Sequence, residues 1–76
     1  MDRTKIKTAR LILFPEDRRL KAPVADSRRR FGHMINASVN TVKRIENDPE
    51  YQIGKTMMLR IEAQIRKAYK KLAKEK

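Results

Sequence analysis

Between Phe31 and Asn47 the chain reads Phe-Gly-His-Met-Ile-Asn-Ala-Ser-Val-Asn-Thr-Val-Lys-Arg-Ile-Glu-Asn, and four cues in register there specify two short helices joined by a tight turn. Phe31, Met34 and Ile35 recur at i, i+3 and i+4, and a second apolar face, Val42 and Ile45, begins after Ser38. Ser38 is placed to cap the second helix, since its hydroxyl can accept from a free backbone N–H at residue 40 or 41. Asn36 tolerates the left-handed backbone that a sharp turn between helices requires. Gly32 leaves room for the second helix to come close. The chain around this unit carries 20 basic and 9 acidic residues, a formal net charge of +11, which points to nucleic acid.

A chain of 76 residues suffices for one small domain with a marginal core. The pattern predicts an all-α fold, a small helical bundle of about four to five helices with a helix-turn-helix at about 27–47. Residues 1–26 form an N-terminal extension in which Ile6, Ala9 and Leu13 fit a helix after Thr4, while Thr8 to Phe14 also fits a buried strand; helix is preferred. Pro15 suits the first position of a short helix through Leu20, with Glu16 and Asp17 in its first turn. Pro23 is expected to end that piece and Asp26 or Ser27 to cap the motif. From Lys55, an amphipathic helix over about 55–74 carries Met57, Ile61, Ile65, Ala68 and Leu72 on one side and Arg60, Arg66, Lys67, Lys70 and Lys74 on the other.

Composition also removes function classes. The chain has no cysteine and one histidine, so no disulfide scaffold, metal site or cofactor is expected. No apolar run approaches the ~20 residues that span a bilayer, and the N-terminus lacks a signal-peptide pattern, so no membrane partner and a cytoplasmic location are expected. Nothing suggests an enzyme: there is no glycine-rich phosphate loop, no nucleophile beside a base and no carboxylate cluster with metal spacing. His33, the one near-neutral titrating side chain, reads as a packing or phosphate-facing residue.

The segment Asn36-Ala37-Ser38-Val39-Asn40-Thr41-Val42-Lys43-Arg44 resembles the helix-turn-helix of the lambda-repressor-like superfamily. Asn47-Asp48-Pro49-Glu50-Tyr51 and the helix after it are similar to the loop and third helix of the lac repressor family headpiece, and Arg44-Ile45-Glu46-Asn47 is similar to the end of the recognition helix in the phage Cro and repressor group. The likeness covers roughly residues 27 to 65 and leaves both branches open. Both usually have glycine where this chain has Asn36, and a capping Ser or Thr where it has Gly54. No effector-binding segment is matched, so no small-molecule effector is expected. Small proteins of this superfamily often serve phages or plasmids.

The resemblance implies a sequence-specific regulator of double-stranded DNA, a repressor, with residues 38–46 in the major groove. By position Val39 and Asn40 lead the base readers, Asn40 through a bidentate pair to adenine and Val39 through a thymine methyl. Arg44 resembles the lac-family arginine that reaches a guanine. Arg28 and Arg29, with Arg30, open the first motif helix, at the end that lies against the DNA backbone in this superfamily. Ser38, Thr41, Lys43 and Asn47 suit phosphates, which set register without reading sequence, and Lys55 and Thr56 clamp the far side. Ile35, Ala37, Val42 and Ile45 belong to the core. Arg3, Lys5, Lys7 and Arg10 form either a basic arm toward an adjacent groove or a frayed terminus.

Ile65, Ala68, Tyr69 and Leu72 are expected either to meet a second subunit, which makes a homodimer on two half-sites, or to pack on the N-terminal region of the same chain. Two other functions stay open: RNA or ribosome binding by a basic helical protein, and a helix-turn-helix that grips a protein partner.

Overall fold

A computed structural model of the chain describes residues 3–74. It holds four helices, α1 (Arg3–Leu13), α2 (Pro23–Ile35), α3 (Val39–Asn47) and α4 (Lys55–Lys74), with no strand among the described residues. The long last helix and the all-helical architecture match the sequence pattern. The N-terminal extension is helix and not strand: Ile6 and Ala9 are fully buried, and Leu13 is half-buried one turn beyond.

The turn between α2 and α3 follows the sequence cues closely. Asn36 caps α2 with φ 59° and ψ 50°, the one non-glycine residue with positive φ among the described residues, and its short polar side chain lowers the cost of that left-handed backbone. Ala37 N–H donates to the Gly32 carbonyl at 2.8 Å. A Cβ on Gly32 would collide with the Ala37 carbonyl oxygen and stand 3.3 Å from Val42 Cγ2. Ser38 has extended backbone and accepts from Thr41 N–H at 3.2 Å.

Three expectations for residues 15–27 fail. No helix forms over 15–20, where Leu20 N–H closes a turn onto the Asp17 carbonyl at 3.1 Å. The Asp17 carboxylate takes Arg19 N–H at 3.0 Å, a local bond that competes with helix. Pro23 opens α2 and does not end the preceding piece, because proline at the first helical position needs no partner for an N–H and presets φ. Neither Asp26 nor Ser27 is the cap: Ala22 holds that place without a side-chain bond. Asp26 lies in the first turn of α2 and Ser27 is buried.

Ile6, Phe31, Ile35, Val42, Ile45 and Ile61 make one core to which every helix contributes, with Phe14, Ala37, Tyr51, Ile53, Met57 and Ile65 packed around it. Met34, expected on the apolar face, is 41 % exposed: it shares the Phe31 side of the helix only at its edge. α4 packs on α1 and α2 and makes no close approach to α3. Two of the four residues left open between a second subunit and the same chain are used inside the chain. Ala68 is fully buried and Ile65 flanks the core, while Tyr69 and Leu72 keep about 40 % exposure. No described helix is long and apolar enough to cross a membrane.

Candidate nucleic-acid interface

α3 is nine residues long, and its register sets what it offers outward. Val42 and Ile45 turn into the core with no exposure, and the Glu46 side chain follows them inside. Asn40, Lys43, Arg44 and Asn47 then face solvent on the opposite side. Val39 and Thr41 are half-buried at the flanks. Ser38 and Thr41 share a hydroxyl–hydroxyl bond of 3.0 Å, beside the cap bond from Thr41 N–H to the Ser38 hydroxyl. Asn47 is the last helical residue, and Asp48 rather than Asn47 is the C-cap, its N–H bonded to the Arg44 carbonyl.

Arg44 lies with its guanidinium carbon 4.8 Å from the centre of the Tyr51 ring and 4.0 Å from the Asp48 carboxylate, its side chain 62 % exposed. It is held loosely and on the outer side. Lys55 and Thr56 are exposed in the first turn of α4, where Gly54 supplies the carbonyl for Met58 N–H at 2.8 Å. His33 is exposed and borders an open cleft with Arg29, Asn36 and Ser38 at the start of α3.

The three arginines of α2 do not stand at its N-terminal end, because the helix begins at Pro23 and places them in its second and third turns. Arg28 is drawn inward, 15 % exposed and 3.5 Å from Glu46. Arg29 pairs with Asp26 at 2.6 Å and Arg30 with the same carboxylate at 3.1 Å. Of these, only Arg29 and Arg30 reach solvent.

Residues 3–10 are not an arm, nor a frayed end. Arg3 Nη1 donates to the Ile45 carbonyl at 2.9 Å and its Nη2 to the Tyr51 carbonyl at 2.6 Å. The first turn of α1 is thereby tied to the end of α3 and the loop after it. Lys5 and Lys7 stay exposed on the helix.

The sequence reading missed the centre of this arrangement. Arg10 has no exposure at all. Its Nε donates to Glu46 Oε2 at 2.7 Å and its Nη2 to Glu46 Oε1 at 3.3 Å. Its Nη1 donates to Glu16 at 3.0 Å and to Ser27 Oγ at 2.8 Å, and Ser27 donates onward to the Phe14 carbonyl. With Arg28, two arginines and two glutamates thus balance in a cluster whose centre, Arg10 and Glu46, is fully buried, and they join α1, α2, α3 and the α1–α2 loop. The one available signal was Glu46 falling one position after Ile45, on the inward side of α3.

Away from this face, hydrogen bonds from Arg19 hold the Asp17 carboxyl below its ordinary range, and Asp17 raises Arg19 in turn. Both are solvent-exposed loop groups.

Fold and site together define an all-helical protein that presents a capped helix with an amide- and cation-bearing outer face. Comparison with family models, with curated proteins and with solved structures gave no match.

Proposed function

We propose that the chain is a sequence-specific double-stranded DNA-binding regulator of the lambda-repressor-like kind, a cytoplasmic repressor that inserts α3 into the major groove. The observation that carries this reading is the outward row Asn40, Lys43, Arg44 and Asn47, set on a helix whose tilt against α2 is fixed by Gly32 and Asn36. Asn40 and Arg44 are the base readers, with Val39 beside them at the half-buried edge. Lys43, Asn47, Lys55, Thr56 and Arg29 are placed for phosphates. Arg28 and Arg3 serve the fold instead, since their donors are turned inward.

Pairing of two copies through Tyr69 and Leu72 belongs to the same proposal, supported by the exposure of both. Selection of bound duplexes from a random pool at near-physiological salt, with the protein's mass recorded in solution, tests both parts. An inverted repeat with half-sites one helical turn apart and a dimer mass are expected. No enriched sequence overturns the base-reading role of α3.

A further inference from the structure

α4 is amphipathic, and most of its apolar side is used inside the chain: Ile61 and Ala68 are buried and Met57 and Ile65 flank the core, with Tyr69 and Leu72 left about 40 % exposed. The opposite side holds Arg60, Arg66, Lys67, Lys70, Lys71 and Lys74, all exposed. At about 100° per residue these six fall within roughly 140° of arc and extend over about 21 Å of helix. No carboxylate stands among them; Glu62 lies at the edge.

Six arginines of the first three helices and their loops have carboxylate partners: Arg10 and Arg28 on Glu46, Arg19 on Asp17, Arg29 and Arg30 on Asp26, Arg44 on Asp48. None of the six cations on α4 makes an ion pair among the described residues. Glu62 is the one acidic residue of α4, and it pairs with none of the six.

We propose that the outward face of α4 is a second nucleic-acid surface, which holds the phosphate backbone of duplex DNA outside the bases that α3 reads. A lipid surface does not fit, because insertion needs a broad free apolar side and Met57, Ile61, Ile65 and Ala68 of α4 are turned into the protein. Single strands do not fit either, since binding them relies on aromatic stacking and Tyr69, the one aromatic of α4, lies off the basic arc. A duplex carries one negative charge per about 1.7 Å of axis with both strands counted, so a length of about 21 Å holds roughly a dozen phosphates, of which a straight array on one side meets only those that face it. The choice of DNA over another duplex rests on the proposed role of α3.

The experiment compares the full chain with K67Q/K70Q/K71Q/K74Q on a duplex of scrambled sequence over a series of salt concentrations. Each lost phosphate contact lowers the slope of log affinity against log salt by about 0.9, so a drop of about 3 to 4 is expected, while preference for a selected over a scrambled duplex stays the same. Lysine to arginine at the same four positions keeps the slope. An unchanged slope in the glutamine variant overturns the proposal and leaves the role of α3 standing. A reduced slope with no sequence enriched by selection does the reverse. Tighter α4-dependent binding of structured RNA than of duplex DNA overturns the assignment to DNA.

Discussion

Arg10 and Glu46 stand 36 residues apart in the chain and meet through two hydrogen bonds, at 2.7 and 3.3 Å, with both side chains shut off from solvent. The bond fixes the rotation of α3 about its own axis. With Val42, Ile45 and Glu46 all inside, Asn40, Arg44 and Asn47 lie on the opposite side of the helix.

Breaking a buried pair by removing one partner typically costs about 3 to 5 kcal/mol, because an uncompensated charge is left in the interior. Arg10→Met is expected to cost that much in urea or thermal unfolding. Glu46→Gln should cost no less, since it strips a carboxylate from both Arg10 and Arg28. Glu16→Gln, at a partner 30 % exposed, should cost under about 1 kcal/mol. Equal losses for Glu16 and Glu46 would disprove this ranking.

Gly32→Ala gains about 1 kcal/mol of intrinsic helix preference, yet the added methyl meets a backbone oxygen that cannot swing away. Overpacking of this kind costs about 1 to 3 kcal/mol, so a net loss is expected. At Asn36, glycine should be tolerated, whereas valine should cost about 1 to 2 kcal/mol for the left-handed backbone. Equilibrium denaturation of the three variants checks both signs.

These positions also show what a sequence can reveal. Gly32, Asn36 and Ser38 were legible because each answers a local backbone demand with a residue type few others can replace. Pro23 was misread because proline both stops and starts helices, and the flanking residues did not separate the two. Arg10 was illegible for a different reason. A charged residue normally faces water, and the carboxylates that permit its burial lie 6 and 36 residues away. Ala68 likewise fits either an internal or an external contact until α4 is packed on the other helices, where it is fully buried.

Asn40→Ala and Arg44→Ala are expected to relax sequence choice, each bidentate base contact discriminating by about 1 to 3 kcal/mol. Arg44 must leave Asp48 to reach a base. Asp48→Asn removes a partly exposed competitor of the sort worth up to about 1 kcal/mol, so affinity for the selected duplex should rise by as much as about fivefold. Unchanged selection profiles for the Asn40 and Arg44 variants would remove both from the base readers.

Asp17 predicts a small effect of pH. Its folded-state pKa is lowered by Arg19, so its contribution is present above the ordinary carboxylate value and is lost as pH falls through the lowered one. The pair is exposed and screened. Asp17→Asn should therefore shift the melting temperature only slightly at neutral pH, and the difference from the parent should vanish in acid. A larger gap in acid would have the wrong sign.

α1 is the wall against which the helix-turn-helix is built: Ile6 closes the core, Arg10 answers Glu46, and Arg3 ties down the end of α3. The α2–α3 unit is for that reason not a portable cassette. Grafted alone onto another scaffold, it would carry an uncovered apolar face and a buried Glu46 left with Arg28 as its one cation, and any transplant that keeps its geometry has to bring α1 with it.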